Sequence, residues 1–398
     1  MKLSRSYILF TLALINFTHI IDSMLIMPLG DIFIDMFKIS ASEYSLLVSG
    51  YAIGAVCSGL ISIFYLDIFD RKKALMLAYA GFGIGTFLCA WANSYYLLLS
   101  LRVLTGLFGG VLGSIVLSIV SDLYKFEERG TAMGILTGAF AAASALGIPF
   151  GLYLAARGSW QVPFLCIGVA AIFVSILIFF TFPNMTAHLA SVRKNRSMKF
   201  VLADILTDKN QVAALMAGFV LILGHFLIIP FISPYLIKNV GLTQMEISYQ
   251  FFFGGIVSVF TSPIIGKLVD KYGFLRIFLV MVFFSFIPTL LITQMPVATV
   301  TYAVSITTLF FIGGVGRMVP ANTIITASAP TANRGSFMSF KSMLQQLAIA
   351  IASFLSGAIV YIGEEDLFVN YEYVGYLSIL ICLISIFFLK RIGVASGN

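Results

Sequence analysis

Residues 161–182, QVPFLCIGVAAIFVSILIFFTF, run for 22 positions without a charged side chain. A helix of that length rises about 33 Å, enough to cross a hydrocarbon layer about 30 Å thick. Divided at glycines, prolines and charge clusters, the sequence holds twelve such apolar stretches. Only 10% of the residues are charged, where soluble domains carry about 25%. With a mean hydropathy of +1.02, that much apolar surface exceeds what one globular core can cover. One connection is long and polar, PNMTAHLASVRKNRSMKFVLADILTDK at 183–209. The expected architecture is an all-α membrane protein of twelve transmembrane helices in two pseudo-symmetric six-helix bundles. The first bundle is expected at 1–182, a cytoplasmic central loop at 183–209 and the second bundle at 210–398.

A net charge of +7 would suggest nucleic acid in a soluble protein, but here the distribution of the basic residues decides. Of the 24 Lys and Arg, nineteen fall in alternate connections and at the two ends, Lys341 counted among them. The opposite connections hold Lys38, Arg157 and Lys238, and Arg102 and Arg317 lie inside spans. The positive-inside rule then predicts cytoplasmic termini and an even number of spans. The partners expected are the lipid bilayer, a small-molecule substrate and protons, with no nucleic acid. MKLSRSYILFTLALINF resembles a signal peptide but lacks a small-residue cleavage site, and the reading keeps it as the first span. The four cysteines show no metal spacing and read as packing residues, so neither metal nor cofactor is expected.

The two halves repeat. Ser40 with Glu43 and Thr243 with Glu246 both match the helix-starting capping box, 203 positions apart. Asp67 and Asp270 are also 203 apart, Arg129 and Arg334 are 205 apart, and Pro28 and Pro230 are 202 apart. Near-equal offsets at independent positions indicate an internal duplication, an arrangement suited to alternating access around a midplane site.

Ionisable groups inside spans are costly and mark candidate sites. On a helix, Asn16, His19 and Ser23 share one face and Asp22 lies beside His19. Two readings stand for Asp22: neutralisation by His19 or by the fourth span, and proton coupling through an acid shifted between burial and a nearby arginine. His225 follows Asp22 by 203 positions and is a candidate second titrating or substrate-contacting group. Arg317, in GGVGRMVPAN, has room left by its neighbouring glycines. It is read as a cavity residue, with a structural ion pair as the alternative. Asn322, Gln345 and Gln346 add neutral hydrogen-bonding groups. One acid against two arginines inside the spans tilts the expected ligand toward an anionic, zwitterionic or sugar-like molecule.

GKLVDKYGFLR has the spacing G-x-x-x-D-K-x-G-x-x-R, and YLDIFDRKKAL shares its aspartate and basic cluster. RVLTGLFGG, LGIPFG and IIDSMLIMPLG add R-x-x-x-G, Gly-Pro and D-x-x-x-x-x-P patterns. Together these resemble the major facilitator superfamily, its twelve-span drug:proton antiporters, and within them the bacterial arabinose-efflux-permease-like branch. The resemblance implies a gating role for Asp67, Arg71 and Asp270, with Gly266, Lys271 and Arg276 in the same motif and Arg129 and Arg334 at the ends of related loops. Asp122 is the expected partner of Arg71. Ile63, Ile68 and Asp70 depart from the first-half pattern. The resemblance further implies that Arg102 tunes the protonation of a nearby acid, and that Gly147, Pro149 and Gly151 form a hinge and a barrier to leak.

The function expected is a secondary active transporter of a bacterial inner membrane. The expected form is a monomeric, proton-coupled efflux antiporter for a small polar or amphiphilic molecule: a drug, a sugar-like solute or an organic anion. An importer or facilitator of the same fold is the alternative, and a membrane enzyme or receptor a remote one. No HExxH, GxSxG or P-loop pattern supports an enzyme.

Overall fold

The computed structural model describes residues 5–65, 69–124, 129–186, 198–330 and 334–393. The helices are α1 (Arg5–Leu25), α2 (Gly30–Phe37), α3 (Ala41–Tyr65), α4 (Arg71–Cys89), α5 (Tyr95–Gly109), α6 (Leu112–Leu123) and α7 (Arg129–Ala142). After a π-helical turn at Ala143–Gly147 come α8 (Ile148–Arg157), α9 (Gln161–Thr181), α10 (Met198–Thr207), α11 (Lys209–Phe226) and α12 (Ile229–Lys238). Then follow α13 (Gln244–Tyr272), α14 (Phe274–Thr293), α15 (Val300–Ala327), α16 (Arg334–Ile359) and α17 (Tyr371–Leu389). A small antiparallel hairpin, β1 (Tyr361–Ile362) and β2 (Phe368–Val369), pairs Tyr361 with Val369.

Among the described residues, ten helical stretches are long and apolar enough to cross a membrane. The other two spans of the twelve-helix fold are α4, which opens on Arg71, Lys72 and Lys73, and the stretch from α7 to α8, which the π-helical turn interrupts. Hydroxyls inside the spans bond back into their own helices, as Thr11 does to Tyr7 O at 2.9 Å and Thr289 to Ser285 O at 2.8 Å. A hydrocarbon layer demands that internal satisfaction.

The duplication is visible in local structure. Thr243 and Glu246 close a full capping box, and Ser40 and Glu43 form the same reciprocal bonds at 2.8 and 3.2 Å. The helix containing Asp22 stops at Leu25 before Pro28, and the one containing His225 stops at Phe226 before Pro230. Between α13 and α14, Gly273 takes φ +83°, a left-handed conformation that suits a glycine.

The chain packs as two compact units, Met1–Leu25 with Gly50–Met198, and Ile26–Ser49 with Lys199–Asn398. Residues 26–49, which the sequence reading places in the first bundle, thus pack with the second unit. In the first, α4 lies between α5 and α9, and α1 runs against α7, the π-turn and α8. In the second, α15 packs on α13 and α14, and α11 on α16 and α17, around Leu215, Leu221, Phe278, Ile324 and Phe337. Large apolar side chains such as Phe180 and Phe260 remain exposed, which is where acyl chains would lie.

Candidate functional site

The first unit holds Asp22 and Arg102, both fully buried, together. Arg102 Nη1 donates to Asp22 Oδ2 at 2.9 Å, and Nη2 to the Asp22 carbonyl at 3.4 Å; neither side chain is exposed. Asp22 comes from α1 and Arg102 from α5. Arg102 also stands over the ring of Tyr51, from α3, at 4.8 Å. The Tyr51 hydroxyl and His19 Nε2 are 2.7 Å apart. Asp22 and His19 are therefore joined through Arg102 and Tyr51, and among the described residues no hydrogen bond links them directly. Asp22 Oδ1 and Arg102 Nε have no hydrogen-bond partner there. Asn16 is half-buried on the same helix.

Glycines make this approach feasible. A side chain on Gly106 would collide with the Tyr51 carbonyl, and one on Gly109 with the Tyr51 hydroxyl. The R-x-x-x-G spacing thus has a local cause: the glycines of α5 let α3 come close enough for Tyr51 to reach both Arg102 and His19. Gly147 and Gly151 likewise accept Ile21 and Leu25 of α1, next to Pro149. A Cβ on Gly134 or Gly138 would meet nothing within 4 Å, so close packing does not explain those two.

The second unit holds a different group. Arg317, 2% exposed, donates through Nη1 to Ser285 Oγ at 3.1 Å and to Cys382 Sγ at 3.1 Å. Its Nη2 lies 2.9 Å from His225 Nδ1, whose ring stacks on Phe310 at 5.2 Å. Among the described residues no carboxylate pairs with Arg317, so the structural ion pair considered from sequence is not formed; its partners are neutral. Asn322 is exposed, and Gln345 and Gln346 are half-buried. Lys341, counted from sequence with the loop cations, is buried in α16, and its Nζ donates to Asn322 Oδ1 at 2.6 Å.

At the expected gates, Arg71 Nε lies 3.6 Å from Asp122 Oδ2. Asp70, read as a departure from the motif, caps α4: its Oδ1 accepts from Lys72 N at 2.8 Å and Met185 N at 3.1 Å. Asp67 lies outside the described residues, as do the side chains of Arg129 and Arg334. Asp270, Lys271 and Arg276 are exposed beside half-buried Gly266, and Lys271 stands over the Tyr272 ring at 5.1 Å. Sequence reasoning missed Tyr51, Ser285, Cys382 and Lys341. For Tyr51 the signal was the glycine spacing opposite it.

Apolar helices long enough to cross a membrane, with the buried Asp22–Arg102 pair and the buried cations Arg317 and Lys341, make this a polytopic membrane protein. The Major Facilitator Superfamily profile matches residues 12–316 and again 214–396. The chain belongs to that superfamily, whose members carry small molecules across membranes. It is 36% identical over 149 residues, 37% of its length, to the vacuolar membrane amino acid uptake transporter fnx2 of Schizosaccharomyces pombe, and spans 25% of that protein. It is 34% identical over 122 residues, 31% of its length, to the efflux pump dotC of Dothistroma septosporum, and spans 21% of it. A solved bacterial homologue of the human lysosomal transporter Spinster, in an inward-facing and unoccupied conformation, shares the fold, with a TM-score of 0.77 at 18% identity over 100% of both chains.

Proposed function

We propose that this chain is a proton-coupled efflux antiporter that moves a small polar or amphiphilic molecule out across a bacterial inner membrane, as a monomer with both termini in the cytoplasm. The observation that carries the reading is the buried Asp22–Arg102 pair with its extension through Tyr51 to half-buried His19. A proton placed on Asp22 removes the charge that holds Arg102, so proton loading and the contact between α1 and α5 are linked. That is the differential interaction a two-state transporter needs if protonation is to bias one state. His19 anchors the Tyr51 hydroxyl, and the Tyr51 ring backs Arg102, so the three side chains hold the pair in place.

In this scheme Asn16, His225, Arg317, Asn322, Gln345 and Gln346 meet the solute. Asp67, Arg71, Asp122, Arg129, Gly266, Asp270, Lys271, Arg276 and Arg334 latch the gate. Gly147, Pro149 and Gly151 form the hinge, at a π-helical turn where helices commonly bend. Outward direction is favoured by the Gly-Pro pattern of LGIPFG and by the likeness to an efflux pump.

The test is export driven by an imposed pH gradient in proteoliposomes. Asp22→Asn should fold and insert yet lose gradient-driven export. Normal pumping by that variant removes Asp22 from the coupling step, and flux indifferent to the gradient makes the protein a facilitator.

A further inference from the structure

Lys341 is the buried cation that this scheme leaves without a task. It lies seven residues into α16, about 10 Å along the helix from Arg334. The side chain is 6% exposed. Its Cε lies 3.9 Å from where a Cβ on Gly218 would stand, so α11, α15 and α16 meet around it. An ammonium has three donors, and Asn322 Oδ1 takes one at 2.6 Å. Among the described residues no carboxylate comes within ion-pair distance of it. A buried charge held by one amide is costly and needs another partner.

Asn322 shows where that partner would enter. It is exposed five residues before the end of α15, still inside a membrane-spanning stretch, where polar side chains face protein or water rather than lipid. While its Oδ1 accepts from Lys341, its Nδ2 is left to donate, so both residues offer donors to one incoming group. Gln345, one turn further along the same face of α16, adds another. Away from the first and last turns of its spans, the second unit contains Lys267, Arg317 and Lys341 and no Asp or Glu. An incoming anion would offset that charge, and a cation would add to it.

We propose that Lys341 and Asn322 form an anion-binding point that takes the carboxylate of a small organic anion as part of the transported solute. The proposal rests on the transporter reading above and narrows its substrate class. The shared chemistry is an anionic oxygen, and a phospholipid headgroup is the other source of one.

The experiment is thermal unfolding of the full chain in an uncharged detergent. The probes are benzoate, gluconate and inorganic phosphate, with benzamide and sorbitol as neutral counterparts, and added phosphatidylglycerol against phosphatidylcholine as the lipid arm. At least one carboxylate should raise Tm saturably in the wild type and in Lys341→Arg, and the neutral counterparts should not. Lys341→Met should weaken the response by about tenfold or more, close to 1.4 kcal/mol. Asn322→Asp places a carboxylate beside the ammonium, so it should raise Tm without ligand and abolish the response; it carries the test if Lys341→Met does not fold. No carboxylate response in the wild type, an undiminished response in Lys341→Met, or a Lys341-dependent response to phosphatidylglycerol alone overturns the proposal. Gradient-driven export by the wild type is read separately in proteoliposomes, so failure here is distinguishable from failure of proton coupling.

Discussion

Asp22 and Arg102 meet at 2.9 Å with neither side chain exposed, and Arg102 also reaches the carbonyl of the residue it pairs with. Two charges withdrawn from water each cost several kcal/mol, and their attraction repays that only while both are present. Asp22 and Arg102 therefore act as a unit, and a change at one is felt at the other.

Breaking the unit from either side should cost more than removing it. Arg102→Met leaves a buried carboxylate alone and should lower stability by about 3–5 kcal/mol, with Asp22→Asn close behind. The double variant Asp22→Asn/Arg102→Met should recover part of that loss, because neither charge is then stranded. Thermal unfolding of the four proteins in detergent checks this. Strictly additive losses would show that the two residues do not interact.

Tyr51 serves two partners, and two substitutions separate them. Tyr51→Phe keeps the ring beneath Arg102 and removes the 2.7 Å hydrogen bond to His19, for a loss of about 0.5–1.5 kcal/mol. It should also weaken gradient-driven transport, because the ring that backs Arg102 loses its anchor at His19. Gly106→Ala meets backbone rather than a movable side chain and should destabilise by at least about 1–3 kcal/mol. A Gly106→Ala protein with wild-type Tm would show that the close approach of α3 and α5 is not needed.

The spans were legible because a membrane helix must be long, apolar and internally bonded, a requirement written in nearly every residue of QVPFLCIGVAAIFVSILIFFTF. Asp22 was legible as a charge where charge is expensive. Its companion Tyr51 was not: 32 positions from His19, it reads like any aromatic in an apolar span. Gly134–Gly138 and Gly147–Gly151 have the same four-residue spacing in the sequence, but only the second pair has a neighbour pressed against it. Lys341 was grouped with loop cations because hydropathy does not say which side of a helix a lysine takes. Cys382 was read as packing, whereas its sulfur accepts from a guanidinium placed 65 positions earlier.

Arg317 uses two of its nitrogens on three neutral partners carried by α11, α14 and α17. A lysine has the charge without the fork and cannot reach Ser285, Cys382 and His225 together. Arg317→Lys should therefore lose about 1–3 kcal/mol, whereas Cys382→Ser, which keeps an acceptor, should lose less. Tm values in detergent decide this. Equal stability of Arg317→Lys and wild type would mean that the fork does not hold these helices.

The last prediction concerns pH. Lys238, at the end of α12, binds Asp35 of α2 at 2.8 Å and Asp366 in the hairpin turn at 2.6 Å, with Asp31 at 3.7 Å. Three carboxylates share one ammonium. Asp31 is the most sheltered of them, and burial first, then the neighbouring charges of Asp35 and Asp366, push its carboxyl up to about 6 against the pull of Lys238. A carboxyl raised above its unfolded value binds its proton more tightly in the fold. Its contribution is present below about pH 4 and is lost as the pH rises through about 6. Wild-type Tm should therefore fall across that window relative to Asp31→Asn, which cannot ionise. Lys238→Met, lacking the shared cation, should show a steeper fall. Melts at successive pH values check it, and parallel wild-type and Asp31→Asn curves would remove Asp31 as the titrating group.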